Sequence, residues 1–355
     1  MEQAMGWNGK MGGVGRMGLA LAVVSASSAA LSPAHASSCS PVDLRPQLGA
    51  PRDQGNTGWC FSHTAADLIS HKTRLRVSAF DLAVQFAATE LEALERSPSP
   101  EVREYLRTHP ELGPIIEEAR IADRDTLLPE KILTEDGLFS HGGIEDGALL
   151  VSNHQGLCLD RNFRDGEKGF AAHLKELNAW VRRKEAITGA TSRSDIPEKS
   201  RPIFSKVMGW LNQRCQTRAE LTEAMLPDSL YIARSLKDFY AKQESGSFPA
   251  KRLQKRLIAR VNQALDEGRV VAVGYSAFDI TERAEDETLL DGDHSSIIAA
   301  RREAKGKCEY FVRNSWGASC ELYLKPYLSG CEKRHGGAWV QLKDLKTLYS
   351  VVSYR

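Results

Sequence analysis

The stretch DQGNTGWCFSHTAADLIS, residues 53–70, places Gln54 six residues before Cys60 and begins an apolar, helix-like run at that cysteine. A position at a helix N-terminus beside a histidine lowers the pKa of a thiol and favours nucleophilic attack. The Cys60 backbone amide and the Gln54 side-chain amide are donors that suit a developing oxyanion. The stretch alone allows three interpretations of Cys60: a nucleophile, half of a disulfide, or a small buried hydrophobe.

The first 36 residues have the organisation of a signal peptide. Lys10 and Arg16 precede an apolar run at 18–31, and SPAHA then provides an A-x-A cleavage site after Ala36. The run is shorter than the roughly 20 residues that span a bilayer, which disfavours the alternative of a membrane anchor. We therefore expect an exported protein, either periplasmic or secreted.

Export changes how the seven cysteines are interpreted. Disulfides persist in an oxidising compartment, and an odd count leaves one cysteine over. The spacing favours Cys320 with Cys331, which closes a short loop, and then Cys158 with Cys215. A metal site is the weaker alternative because the spacing lacks the close cysteine pairs of structural zinc. Its ligands would be Cys308, Cys320, Cys331 and His335. We expect no metal and no organic cofactor.

Composition and periodicity predict an α+β protein. The 355 residues are 42% hydrophobic, with a net charge of +1, so the chain can bury a large core and has no basic patch for nucleic acid. Helical spacing dominates about 54–160, and a polar, helix-forming insertion follows at about 160–246. Strand-like segments such as HSSIIAARR and CEYFVRN fill the β lobe, about 247–355.

The motifs around Cys60 match a known family. QGNTGWCF resembles the Q-G-x-x-G-x-C-[WF] segment of the papain-like cysteine peptidases, and DGDHSSIIAA and FVRNSWGASC resemble its later histidine and asparagine segments. The resemblance covers about 44–82, 138–157 and 261–345. It implies a two-lobed fold, with a helical N-terminal lobe, a barrel-like sheet in the C-terminal lobe, an active-site cleft between them, and helical insertions.

The resemblance implies a role for each matching residue. Cys60 corresponds to the nucleophile, His294 to the base, and Asn314 to the residue that orients the imidazole. Gln54 corresponds to the oxyanion donor. Trp316 corresponds to the tryptophan that shields the hydrogen bond between asparagine and histidine.

The same comparison implies where substrate binds. Gly142 and Gly143 fall on the glycine pair whose backbone binds an extended substrate. Trp59 is bulkier than the usual residue before the nucleophile and is expected to narrow the cleft. A family disulfide is missing, since Thr57 and Ser140 replace its two cysteines.

Two histidines near Cys60 need a separate assignment. His63 follows Cys60 by three residues and would lie near the same helix face, so it is a rival base. We assign it a structural role, because the resemblance puts the base across the cleft. His71 lies in a polar stretch, and we expect it to be solvated.

The sequence thus predicts an exported cysteine-type peptidase that hydrolyses peptide bonds through a thioester acyl-enzyme. We expect its partners to be protein or peptide substrates. We expect no binding to nucleic acid, and none to a membrane after signal cleavage. The sequence does not identify an inhibitor protein. Two alternatives stay open. One is a transpeptidase or amidase on the same fold, and the other is a catalytically idle binding protein, favoured if Trp59 or the insertion blocks the cleft.

Overall fold

The computed structural model describes residues 39–55, 57–94, 143–163, 209, 211–215, 217–246, 248–283 and 292–355. The predicted signal peptide, Gly142 and the stretch 164–208 of the predicted insertion lie outside these ranges. Within them, no helix is both long enough and apolar enough to cross a membrane.

Helix α1 is the centre of the helical part of the fold. The helices are α1 (Cys60–Thr73), α2 (Ala79–Leu94), α3 (Glu145–Gln155), α4 (Leu236–Glu244), α5 (Ala250–Asp266) and α6 (Lys325–Leu328). Every residue of α1 from Phe61 to His71 is buried, so neighbouring elements cover all its faces. Phe61 packs against Phe86 of α2, with ring centroids 4.9 Å apart.

The second part of the fold is one antiparallel sheet. The strands are β1 (Val42–Asp43), β2 (Leu157–Cys158), β3 (Arg218–Ala219), β4 (Pro227–Tyr231), β5 (Val271–Ser276), β6 (Asp293–Ala304), β7 (Lys307–Arg313), β8 (Cys331–Glu332), β9 (Gly337–Val340) and β10 (Ser350–Tyr354). The main sheet has the order β4-β10-β5-β6-β7-β9-β8, with β1 on β6, and β2 pairs with β3 separately. The described strands form an open path rather than the closed barrel that "barrel-like" suggested.

The junction between α5 and β5 follows the sequence pattern closely. Leu257, Val261 and Leu265 of α5 are buried in the same core as the sheet. Gly268 then takes a left-handed conformation, with φ +72°, which ends the helix without steric cost. All six residues of β5 are buried. The predicted α+β class is therefore found in the structure.

The predicted helical insertion at about 160–246 contains strands as well as helix α4 in its described part. Both β3 and β4 lie in that range, and β4 is the edge strand of the main sheet, with Tyr231 opposite Ser350 of β10. The segment PDSLY is polar, so its strand character depends on a partner far along the chain. His71 also departs from expectation, because it is buried and its Nδ1 hydrogen-bonds the Tyr354 hydroxyl.

Six of the seven cysteines are paired. The two predicted disulfides, Cys158–Cys215 and Cys320–Cys331, are confirmed. The third joins Cys39 to Cys308, and no local spacing indicated it because 269 residues separate the two. The three cysteines of the alternative metal site are thus all in disulfides. Cys60 is left as the free cysteine.

Candidate active site

Cys60 is the first residue of α1, in the part of the fold where this helix meets the sheet. The backbone amides of Ser62 and His63 both donate to the Trp59 carbonyl, at 3.0 and 3.2 Å. The Cys60 amide belongs to the first helical turn, whose N–H groups have no partner within the helix. Cys60 is partly exposed as a residue, although its sulfur is buried, and the backbone amide of Ser295 on β6 lies near that sulfur.

His294 and Asn314 come together at the ends of neighbouring strands. His294 lies on β6 opposite Tyr275 of β5, and Asn314 directly follows β7. The distance from His294 Nε2 to Asn314 Oδ1 is 3.0 Å. Asn314 Nδ2 donates to the Tyr323 hydroxyl at 2.7 Å, which fixes the amide so that its oxygen faces the imidazole. Because Nε2 is bonded to Asn314, Nδ1 is the ring nitrogen available for proton transfer.

Asn314 Oδ1 also accepts hydrogen bonds from two buried hydroxyls. Ser296 donates to it, and the Tyr275 hydroxyl lies 3.4 Å from it and 2.9 Å from Ser296 Oγ. Sequence analysis did not find this network. Strand alternation puts Ser296 on the same face as His294, and that signal was available in the DHSS segment.

Trp316 covers the histidine. Its ring stacks on the His294 imidazole, with centroids 4.8 Å apart and planes inclined by 22°. The Tyr323 ring packs against Trp316, with centroids 5.6 Å apart. The structure therefore places both Asn314 and Trp316 against the His294 imidazole.

Gln54 is tied to the strand end that carries Asn314. Its backbone amide donates to the Ser315 carbonyl at 2.8 Å, and the Ser315 hydroxyl donates to its Oε1. Its Nε2 donates to the Thr57 carbonyl at 2.6 Å. Since an amide nitrogen carries two hydrogens, one N–H of Gln54 is left to serve as an oxyanion donor.

The charge state of the site differs from the sequence expectation. Burial of the sulfur, followed by the negative charge of Glu145, raises the pKa of Cys60 to about 12. Burial lowers the pKa of His294 to about 4, although its hydrogen bond to Asn314 acts in the opposite direction. The expected lowering of the thiol pKa is therefore wrong here, because burial outweighs the helix terminus. Both groups rest in their neutral forms at pH 7.

Glu145 is a buried acid that the sequence analysis missed. It is 6% exposed at the start of α3, and burial raises its pKa to about 7 while the nearby Ser295 hydroxyl lowers it. Asp146 and Asp293 add further negative charge around it. Its position two residues after Gly143 was the only hint in the sequence.

Besides Gly142, the sequence predicted that Gly143 and Trp59 bind substrate. The structure gives these two residues different environments. Gly143 lies against the aromatic rings beside the nucleophile, since a Cβ there would be 2.8 Å from Phe61 Cε2 and 2.5 Å from Phe86 Cε1. Trp59 is 1% exposed and packs edge-on against Phe80, with centroids 5.6 Å apart. This corrects the expectation that Trp59 narrows the cleft, because its side chain is in the core.

His63 is buried in the core of the fold and does not lie on an open face. Burial, together with the positive charge of Arg52, lowers its pKa to about 3. It is therefore neutral at pH 7. These features suit the structural role that the sequence analysis gave it.

No protein-family model and no curated protein matches the chain. Solved structures do match its fold. Xylellain, a cysteine protease from Xylella fastidiosa, is 14% identical, with 89% of this chain and 86% of that chain covered and a TM-score of 0.39. PepW from Lactobacillus rhamnosis is 12% identical, with coverages of 88% and 81% and a TM-score of 0.45. A structure from work on the mite allergens Blo t 1 and Der p 1 is 13% identical, with coverages of 91% and 73% and a TM-score of 0.41. All three TM-scores are below 0.5, and the functional proposal depends on the residues of this chain alone.

Proposed function

We propose that the chain is a cysteine-type peptidase that hydrolyses peptide bonds through a thioester acyl-enzyme. One observation carries the proposal: the His294 imidazole, held through Nε2 by Asn314 at 3.0 Å, lies on the strand whose next residue, Ser295, has its backbone amide near the free thiol of Cys60. A nucleophile, a base and a group that orients the base form the set needed for acyl transfer.

In the acylation step, the proton moves as the new bond forms. Since Cys60 and His294 start neutral, Nδ1 of His294 removes the thiol proton while the sulfur attacks the substrate carbonyl carbon. The oxyanion accepts hydrogen bonds from the Cys60 amide and the Gln54 side chain. His294 then donates the proton to the leaving amine, the C–N bond breaks, and a thioester remains on Cys60.

Deacylation uses the same residues. His294 removes a proton from water, the hydroxide attacks the thioester carbon, and the C–S bond breaks to release a carboxylic acid. The thiolate of Cys60 recovers the proton from His294. Asn314 holds the ring in place, and Trp316 limits the access of water to the hydrogen bond between them.

The substrate would be a protein or peptide bound in extended form along Gly142 and Gly143. Strand-like binding of this kind gives affinity through main-chain hydrogen bonds. The three disulfides support the proposal that the protein is exported, because such bonds persist in oxidising compartments. No cofactor is needed for this chemistry.

The test compares three variants of the purified, mildly reduced protein on fluorogenic peptides. Cys60→Ala and Cys60→Ser should lower kcat/KM at least about a thousandfold while circular dichroism stays unchanged. Ser62→Ala, which removes a hydroxyl bonded to the Trp59 carbonyl at 3.0 Å, is the matched control for α1 and should keep its activity. Retained turnover in Cys60→Ala would contradict the proposal. Added amines that appear in the products would indicate a transpeptidase instead.

A further inference from the structure

One buried carboxylate on α1 binds two arginines from different parts of the chain. Asp67 lies two turns after Cys60 and is 4% exposed. Its Oδ1 accepts from Arg52 Nε at 2.7 Å, and its Oδ2 accepts from Arg313 Nε at 2.7 Å. Both arginines are at most 2% exposed. The three charges therefore form one buried group.

Each arginine is next to a residue of the proposed site. Arg52 lies two residues before Gln54, and its carbonyl accepts from the Gly317 amide at 2.8 Å. Arg313 is the last residue of β7 and directly precedes Asn314. The Asp67 carboxylate and its two arginines thus connect three segments. They are the helix that starts at Cys60, the loop that carries Gln54 and the strand end that precedes Asn314.

We propose that Asp67 is a positioning residue, whose carboxylate holds the segments of Cys60, Gln54 and Asn314 in one arrangement through Arg52 and Arg313. The inference rests on the proposed peptidase function. Asp67 does not touch substrate and takes no proton from it. It fixes the distance between the nucleophile helix and the two segments that serve it.

The chemistry of the group suits a precise anchor. Arginine presents donors in a rigid, planar fork, so its hydrogen bonds to a carboxylate fix orientation as well as distance. Burial would raise the pKa of Asp67, but the charges of Arg313 and Arg52 outweigh it and hold the pKa below its usual value. The group is therefore ionised at any pH at which the protein would work.

The alternative is that Asp67 contributes only to stability, and the chain contains a matched control for that. Asp81 on α2 is fully buried and binds Arg218 Nη2 at 2.6 Å. It also accepts from the Cys158 amide at 3.0 Å, and none of these partners belongs to the proposed site. Asp81→Asn therefore removes a comparable buried charge without touching the segments of Gln54 or Asn314.

We expect the fold to tolerate the substitution Asp67→Asn. Arg52 keeps a second carboxylate, Asp160, at 3.5 Å. Arg313 keeps three backbone acceptors, the carbonyls of Gly49 at 3.2 Å, Ala50 at 2.6 Å and His335 at 3.0 Å. Neither guanidinium is left without acceptors in Asp67→Asn.

The experiment measures kcat and KM per reactive Cys60, counted by titration with a thiol-directed epoxide, for the wild type, Asp67→Asn and Asp81→Asn. Both variants should melt at lower temperature. Only Asp67→Asn should lower kcat, by about tenfold to a hundredfold, with KM changed less than about threefold, since small misplacements of reacting groups cost that much. Arg313→Lys keeps the charge but loses the fork, and it should reproduce the loss of kcat.

Each outcome decides a different point. Equal kcat in Asp67→Asn and Asp81→Asn, or wild-type kcat in Arg313→Lys, would overturn the inference and leave the peptidase proposal intact. A wild-type protein that shows neither turnover nor epoxide labelling at Cys60 would instead overturn the proposed function. If Asp67→Asn does not fold, Arg313→Lys and Arg52→Lys decide the question alone.

Discussion

His294 and Asn314 are 20 residues apart in the chain, and their side chains meet at 3.0 Å through Nε2 and Oδ1. Two adjacent strands produce this contact, because His294 lies near the start of β6 and Asn314 directly follows the end of β7. The contact determines which ring nitrogen remains for Cys60. It also predicts that removing the Asn314 side chain impairs catalysis.

Asn314→Ala should lower kcat/KM about a hundredfold, because the imidazole loses the acceptor that fixes its orientation and tautomer. KM should change little. Asn162→Ala is the control, since that asparagine bonds Thr217 in the remote β3 segment, at 3.1 Å to the carbonyl. Steady-state kinetics on one fluorogenic peptide make the comparison, and equal kcat/KM in both variants would remove Asn314 from the site.

Glu145→Gln should make the Cys60 thiol ionise at lower pH. The negative charge of Glu145 is the largest charge effect that raises the pKa of Cys60, so a neutral amide of the same size should lower that pKa. The rate of Cys60 alkylation by iodoacetamide as a function of pH gives the midpoint directly. Glu309→Gln, which alters a surface pair with Arg302, should leave the midpoint unchanged. An unchanged or higher midpoint in Glu145→Gln would contradict the prediction.

Glu145 should also affect the pH dependence of stability. Its folded pKa of about 7 lies above the ordinary value of 4.5, so the folded state binds more protons than the unfolded state between these values. The free energy of unfolding should therefore fall as pH rises from about 4.5 to 7. In Glu145→Gln this contribution should vanish, so the variant gains stability relative to the wild type over that window. Urea titrations at pH 4.5 and 7 measure the difference, and a constant difference would contradict the sign.

Gly143→Ala should destabilise the fold by about 1–3 kcal/mol, because a Cβ there overlaps the rings of Phe61 and Phe86. Since Phe61 follows Cys60, the variant should also lose activity. Gly209→Ala is the control, because a Cβ at that position meets no atom of the described residues within 4 Å. Thermal melting and kcat/KM give both readouts. Wild-type stability in Gly143→Ala would contradict this prediction, because it would mean that the two rings move aside at little cost in free energy.

Local motifs single out the residues of the candidate site, and the structure places two of them, His294 and Asn314, in contact. Cys60, His294 and Asn314 stand in distinctive motifs, and strand patterning put the last two on the sheet. The contacts that support them were not predictable, because they join residues far apart in the chain. Asp67 and Arg313 are 246 residues apart, and neither has a local pattern that indicates a partner. The strand β4 was missed for the same reason, since its pairing with β10 determines its structure.

The directions of the two pKa shifts were also beyond the sequence. The helix N-terminus and the nearby histidine argued for a low thiol pKa. Burial is a property of the folded chain, and it reverses that expectation for Cys60 and keeps His294 neutral. The proposed catalytic cycle therefore starts from a protonated Cys60 thiol and a neutral His294 imidazole.

The most direct test of the central claim is to trap the acyl-enzyme. A peptide nitrophenyl ester is mixed with the protein, the reaction is quenched in acid during turnover, and the digest is mapped by mass spectrometry. The acyl group should be found on Cys60 as a thioester that hydroxylamine removes, and His294→Ala should prevent its formation. Turnover with the acyl group on another residue, or with no acyl group on Cys60, would contradict it.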